Sequence, residues 1–452
     1  MFFARRGESA CVRLHFLINL LIGLSIFVLL RAPFVQQNGG VAAARDAVIT
    51  WQMDRLTGLD AAPRLAWIDI DDAAHHAWGV PGETRRDKIA QLIAFAARGR
   101  PAAIVVDLDL TDPMLGLARD DDVLKRYLEH YANSCSSCPE LLLVRTLGPS
   151  AYWYAGRGPA LQARRSFLDP ALGTSPKQPW TPGRIMWGTV AMDRDPDLIE
   201  RRWRLWESSC SAEGRAVVVS SVTLLAAAVA TSTSLASVYD ALAPHALTCV
   251  PRAEASVPGA APTQPTELHL GKSALTLAED DISRRLFYRI PWKPNDPNAT
   301  APAVTLPAGE ITKNAQAVPT ILAGRVVVIG ASFAASRDIH MTPIGQMPGA
   351  LVLINAIDSV LSGDNLRQPS WLVIVLIEGV LILIVSAFFA YLRPAWALVA
   401  SLATILVGTM TVGFVAFNSG IWIDSTVPML AVTAHEFVEH VHHHVRRLIK
   451  AR

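Results

Sequence analysis

The chain has 452 residues, 51% of them hydrophobic and 18% charged, with a formal net charge of +2 at pH 7. That length and apolar content allow one large soluble domain plus a small helical bundle. Scattered basic residues and a nearly balanced charge exclude the clustered positive surface that a nucleic-acid partner requires.

In chain order, the first feature is an apolar run at Val12–Leu30. A helix needs about 20 apolar residues to cross a hydrocarbon core about 30 Å thick, and four stretches fit: 12–30, 371–392, 395–417 and 421–438. Arg5, Arg6 and Arg13 precede the first, Arg393 sits between the second and third, and Arg446, Arg447, Lys450 and Arg452 follow the fourth. Basic flanks stay on the cytoplasmic side, which puts 1–11 and the His-rich, basic tail 439–452 inside. The whole of 32–369, and the Lys- and Arg-free turn Asn418-Ser419-Gly420, then lie outside. The uncharged stretch Ala216–Ala236 is long enough to rival a span, but its many Ser, Thr and Ala make it weakly hydrophobic. We read 216–242 as a buried or amphipathic helix of the external domain. Ala42-Ala43-Ala44 has the small residues of a signal cleavage site but lies well beyond the apolar run, which favours an uncleaved anchor.

Between the anchors, short apolar runs alternate with helical patterns, which predicts an α/β fold. Leu65–Asp71 reads as a strand, Arg86–Ala97 as a helix and Ala102–Leu108 as a strand, a right-handed unit with parallel strands. Further buried strands are expected at Leu141–Thr146, Arg184–Met192, Leu286–Ile290 and Arg325–Ile329. The stretches 148–182 and 250–278, rich in Pro, Ala, Gly and Thr, read as surface excursions. The fold class is thus an α/β ectodomain with a mainly parallel sheet, plus four transmembrane helices, one N-terminal and three C-terminal. Cys135, Cys138, Cys210 and Cys249 all fall in this domain, an even number in a compartment where disulfides persist, whereas Cys11 is left at the cytoplasmic mouth of the first span. Cys210 with Cys249 is expected as a structural bridge. Cys135-Ser136-Ser137-Cys138 follows a helix and precedes Pro139 and a strand, the setting of a local loop staple more than of a redox pair.

The order of motifs resembles the periplasmic sensory domain called CHASE, type 2, over about residues 45–370. A first block is Ile68-Asp69-Ile70-Asp71-Asp72, Trp78-Gly79, Pro81 and Arg85 or Arg86; a second is Ala103–Asp107 with Asp112-Pro113 and Asp120-Asp121. Gly188-Thr189-Val190 with Asp193, Asp195 and Arg202 is similar to a middle block. The most specific piece is Val327-Val328-Ile329-Gly330 leading to Asp338, Thr342-Pro343, Pro348-Gly349 and Asn355-Ala356. One anchor before the domain and three helices after it is also the family's arrangement. The resemblance implies a multi-pass protein of the bacterial inner membrane that senses an extracytoplasmic ligand or docks a partner. In many relatives the last helices lead into a cyclase, kinase or phosphatase domain, whereas this sequence stops at Arg452. The output is therefore expected from another membrane or envelope protein; the alternative is a scaffold subunit of an envelope complex. Gly379 and Gly408 allow close helix packing in a homodimer.

Gly330 allows a sharp turn at a strand's carboxyl end, where open α/β sheets place their ligand crevice. Asp69, Asp71, Asp107 and Asp109 would gather at equivalent strand ends, with Arg85, Arg86 and Arg337 as compensating cations or a divalent cation as the sharper alternative. Acidic residues there also cap the following helix, and that reading is preferred. Asp107-Leu108-Asp109-Leu110-Thr111 also matches the Asp-x-Asp-x-Thr opening of haloacid-dehalogenase-type phosphatases, but no Lys and acidic pair follow in order, so no enzyme is expected. The stretch Thr342–Gly349 feeds a helix at Ala350–Leu361 that leads directly to the second span, a short path from crevice to membrane.

In the spans, Glu378 needs a partner, for which Asn19, Thr404, Thr409 and Thr411 are the candidates. At the C-terminal end, His435 with Glu439 and His440 with His444 have the helical spacing of metal ligands, but a basic helix end meeting lipid headgroups is preferred.

Overall fold

The computed structural model describes residues 6–32, 35, 38–56, 64–79, 83–174, 184–256, 265–280, 282–292, 303–314, 316–363, 366–424, 426 and 430. The chain divides into a helical unit, Met1–Arg55 with Leu366–Arg452, and an α/β unit, Leu56–Asn365.

The helical unit opens with α1 (Arg6–Leu30) and α2 (Gly39–Leu56). The latter falls within the helical unit, although 32–369 reads in sequence as one external domain.

The α/β unit begins with β1 (Leu65–Ile70), α3 (Asp72–Trp78), α4 (Arg86–Arg98) and β2 (Ala103–Asp107). Next come α5 (Ala118–Ser134), β3 (Glu140–Val144), the hairpin β4 (Leu147–Tyr154) and β5 (Gly158–Ala163), and α6 (Asp169–Leu172). The chain then returns as β6 (Ile185–Gly188), the hairpin β7 (Ala191–Arg194) and β8 (Glu200–Arg204), and the hairpin β9 (Trp206–Cys210) and β10 (Ala216–Ser220). Helices α7 (Val222–Ala230) and α8 (Leu235–Leu242) lead to β11 (Cys249–Pro251) and the hairpin β12 (Thr266–Leu270) and β13 (Ser273–Leu277). The last part is β14 (Val304–Pro307), α9 (Ala308–Lys313), β15 (Val326–Ala331), the hairpin β16 (Ile339–Thr342) and β17 (Gly345–Pro348), and α10 (Gly349–Ser362).

Six strands form one parallel sheet in the order β14-β1-β15-β2-β3-β6. Parallel pairing follows because helix-containing crossovers, not tight turns, join successive strands. Alternate residues of each strand feed two cores. Ala66, Ile68, Ile104, Val106, Val327 and Ile329 pack with α4 and α5, and Leu65, Trp67, Ala103, Val105, Val326 and Val328 pack with α7 and α10. Covered on both faces, these strands read as continuous apolar runs instead of alternating ones. Each fully buried Val, Leu or Ile there contributes about 1.5–3 kcal/mol.

Several sequence expectations are corrected. Arg184–Met192 is not one strand: β6 joins the sheet, and the chain then leaves it for the separate β7–β8 hairpin. The stretch 216–242 is not one helix but β10, α7 and α8; Ser221 ends the strand and caps α7, accepting a hydrogen bond from the Leu224 N–H at 3.1 Å. Leu286–Ile290 is not a strand; its first N–H, that of Leu286, donates to Arg201 O of β8 at 2.9 Å. Its backbone is held by α10 side chains: Asn355 Oδ1 accepts from the N–H groups of Arg289 and Ile290, both at 2.9 Å, and Ser359 Oγ accepts from Phe287 at 3.0 Å. In return Asn355 Nδ2 donates to Ile290 O at 3.0 Å and Ser359 Oγ to Phe287 O at 2.9 Å. The stretch 250–278 also contributes to the core, through Leu268, Leu270, Leu275 and Leu277 of the β12–β13 hairpin.

Cys210 and Cys249 are joined by a disulfide that ties β9 to β11, and Cys135 and Cys138 by another that closes the loop between α5 and β3.

The helical unit resumes with α11 (Trp371–Tyr391), α12 (Pro394–Ala403), a π-helical stretch at Thr404–Thr409, and α13 (Met410–Asn418). Two stretches, Trp371–Tyr391 and Trp396–Phe417, are long and apolar enough to cross a membrane, and Phe16–Leu30 is a shorter apolar helix. Most of 421–438, and His435, Glu439, His440 and His444, lie outside the described residues. Glu378 on α11 is buried and pairs with Arg31, at the end of α1, not with Asn19 or the threonines of the third span; Asn19 itself is buried. A side chain at Gly23 of α1 would meet Ile382 of α11 at 3.0 Å, whereas Gly379 and Gly408 face nothing within 4 Å.

Candidate functional site

Asp69, at the end of β1, is in register with Gly330 of β15, and Gly330 with Asp107 of β2. Side chains alternate along a strand. Asp69 lies two residues beyond Trp67 and Asp107 two beyond Val105, so both point to the face covered by α10. Gly330 between them has no side chain because α10 starts there: a Cβ would stand 2.5 Å from that of Ala350 and 3.5 Å from that of Asp107. The amino-terminal end of α10, with its positive dipole end, therefore sits in the gap between two carboxyls.

Both carboxyls are pushed up to about 7. Burial is the main cause for Asp107, reinforced by the charge of Asp338 and opposed by His340. For Asp69 burial again dominates; Ser332 opposes it, and Asp71 and Asp72 add repulsion. Asp69 Oδ1 is buried and without a partner.

A second layer closes over the row. The β16–β17 hairpin meets the β7–β8 hairpin through an Ile199–Met341 bridge. His340 links the two: Nδ1 lies 2.7 Å from Glu200 Oε1 and Nε2 lies 2.7 Å from Asp338 Oδ1. With a carboxylate at each ring nitrogen, Asp338 first and Glu200 next, the imidazole is held protonated with a pKa raised to about 10. Arg194 adds a 3.3 Å contact to Glu200. The Asp338 carboxylate lies against Gly349, and its backbone carbonyl accepts from the Gly349 N–H at 2.9 Å, which anchors α10 to the hairpin. Thr342 Oγ1 donates to Gly345 O at 2.5 Å and closes the β16–β17 turn.

Of the residues singled out in sequence, the structure brings Asp69, Asp107, Gly330 and Asp338 together and places the others elsewhere. Asp71 caps α3, accepting from the Ala74 N–H at 2.8 Å, and Asp109 accepts from the Thr111 N–H at 2.8 Å. Arg85 binds Asp87 and Asp120, at 2.9 and 3.0 Å. Arg86 donates to Asp109 O at 3.0 Å and lies 3.8 Å from Asp121. Neither arginine compensates the row, and Arg337 stands exposed in a turn with φ 57°. Among the described residues no three His, Cys, Asp or Glu side chains converge to hold a metal ion. Sequence reasoning missed Glu200 and His340, which lie on separate hairpins 140 positions apart. It also missed Arg145, which is buried beyond β3 against Asp169, with its guanidinium 4.2 Å from the Trp187 ring centroid.

Two carboxyls pushed up to about 7 can take up or release a proton near neutrality. Of the Asp-x-Asp-x-Thr stretch, Asp109 is engaged by the Thr111 N–H and Asp107 is a carboxyl raised by burial.

The fold is a parallel α/β domain covered on both faces, followed in sequence by helices of membrane-crossing length. The family model of the CHASE2 domain matches residues 21–392, and the chain belongs to that family of sensory domains. No curated protein and no solved structure matches the chain.

Proposed function

We propose that the chain is a bacterial inner-membrane sensor, with 32–369 outside the cytoplasm and both ends of the sequence inside, whose α/β domain reads a cationic ligand or local acidity at the Asp69–Gly330–Asp107 row. The observation that carries the reading is the seat of α10 on Gly330, between two carboxyls that titrate near neutrality. A change of charge at the row acts directly on the start of this helix. The chain leaves α10 at Gly363 and enters the membrane-length α11 at Trp371. Two disulfides in the domain fit an oxidising compartment. From the membrane helices the state of the domain passes to a separate membrane or envelope protein.

The test is mild solubilisation of the full-length protein from its own membrane, followed by mass spectrometry of what accompanies it, with wild type and Asp107→Asn side by side. A partner whose recovery changes with pH in the wild type and not in the variant supports the sensor. A stoichiometric set of envelope proteins retained identically in both, at every pH, refutes it in favour of a scaffold.

A further inference from the structure

A cavity of about 450 Å³ opens elsewhere in the α/β unit, between the β4–β5 hairpin, the β8–β9 corner and the end of β13. That volume lies in the range of small-molecule sites, about 300–1,000 Å³. Its walls are of two kinds. One is aromatic, formed by Tyr154, Trp203 and Trp206. The other consists of planar charged groups, and these are already matched. Arg204 Nη1 binds Glu207 Oε1 at 2.7 Å and its Nε binds Asp193 Oδ1 at 2.5 Å; Arg284 also binds Asp193. Across the mouth Arg157 pairs with Glu279 at 3.2 Å.

Three guanidinium groups and two carboxylates line the cavity, and Asp193, which is not among the lining residues, pairs with both Arg204 and Arg284, so the charges balance one for one. An anion or a cation would have to compete with a partner already in place for the same guanidinium edge or carboxylate oxygen, in pairs that are partly exposed. A neutral ligand rich in hydroxyls avoids that competition, because each hydroxyl both donates and accepts. It can accept from a guanidinium edge and donate to a carboxylate without separating them. The Nε–H of Arg284 is buried without an acceptor, so the wall has a donor still to be met. Aromatic faces suit the apolar C–H face of a sugar ring.

The wall is also built in advance. Tyr154 Oη donates to Ser208 O and accepts from the Leu161 N–H at 3.1 Å, which fixes the ring. The Cys210–Cys249 disulfide holds the strand that carries Trp206. A preformed wall spares the ordering cost of binding.

We infer that this cavity binds a neutral saccharide unit, one to two rings in size, stacked on Trp206 and hydrogen-bonded by the Arg204–Glu207 pair and Arg284. The site does not depend on what the crevice senses. The test uses the full-length protein in nanodiscs, with calorimetric titration and saturation-transfer NMR. Probes are glucose, N-acetylglucosamine, cellobiose and chitobiose, beside glutamate, arginine and inorganic phosphate. Expected is one saturable site for at least one saccharide, with transfer to its ring C–H protons. Trp206→Ala should weaken it at least tenfold. Arg284→Lys keeps a charge for Asp193 but removes the Nε donor, and serves as the second variant if Trp206→Ala does not fold; it too should weaken binding. The inference is overturned if no saccharide saturates, if saccharide binding is unchanged in the variants, or if saturable binding is confined to glutamate, arginine or phosphate.

Discussion

Replacing Asp107 by Asn is expected to stabilise the full-length protein in alkaline buffer and to leave it unchanged in acid. The two side chains are nearly the same shape, so the change removes a charge and little else. In the folded chain the carboxyl is raised from 3.8 to about 7, by burial first and by Asp338 next, against the pull of His340. An acid whose folded pKa is raised holds its proton more tightly folded than unfolded. The cost of ionising it therefore begins as the pH rises above its unfolded value near 4, grows up to the folded value and stays constant beyond. Three units at about 1.4 kcal/mol each give up to about 4 kcal/mol above about pH 7. At about 2 °C per kcal/mol for a domain this large, Tm of the variant should exceed wild type by up to about 8 °C at alkaline pH. The gap should close toward about pH 4. The assay is scanning fluorimetry of both proteins in detergent across that range. A gap independent of pH, or a variant less stable in alkali, would refute the account of a buried carboxyl ionised at a cost.

Four further outcomes follow from the same geometry. His340 is a base with a raised folded pKa, so the stability from its two carboxylate contacts is fully present below about 6.5, its ordinary value, and lost as pH rises through about 10. His340→Gln should cost about 3 kcal/mol in urea unfolding near neutrality and progressively less as the pH rises toward about 10. Cys249→Ser opens a link with a sequence separation of 39 and Cys138→Ser one of 3; loop-closure entropy puts the losses at about 4 and about 2 kcal/mol, read from denaturant midpoints under non-reducing conditions. Asn355→Leu removes the side chain that binds two N–H groups and one carbonyl of the 289–290 segment, and should cost about 3 kcal/mol or more in the same assay. Gly330→Ala forces α10 off the sheet; the expected loss is about 1–3 kcal/mol, with increased amide exchange at the start of α10, and unchanged exchange would contradict the seating.

The sheet was legible where burial on both faces makes a strand a continuous apolar run, as in Leu65–Asp71, Ala102–Leu108 and Arg325–Ile329. The same signal misleads at Leu286–Ile290, because an apolar run records burial and not the identity of its hydrogen-bond partner, here the polar stripe Asn355 and Ser359 of α10. β14 is only four residues long at the sheet edge and carries too little pattern to detect. Asp69 and Asp107 could be named in advance because strand ends define the crevice. Their neighbours could not, since Glu200 and His340 meet only after two hairpins fold over the sheet. Arg31 escaped as the partner of Glu378 for a similar reason: the contact joins α11 to the far end of α1.

The pairing of the other buried acids explains why the row carries the functional reading. Asp169 has Arg145, Asp195 has Arg201 and Arg202, Glu200 has His340 and Arg194, Glu207 has Arg204, and Asp358 has Arg289 at 3.5 Å. Each of these acids has a cation supplied by another residue of the fold. Among the described residues Asp69 and Asp107 have no ion pair; Ser332 and His340 offset part of the cost of ionising them, and a proton or a cation from outside would offset more. A fold that gives these five acids a cation each and leaves Asp69 and Asp107 without one, on either side of the glycine against which α10 starts, has placed a local cost at this row. Unpaid electrostatic cost of that kind gathers at functional sites, because only there does an external ligand relieve it.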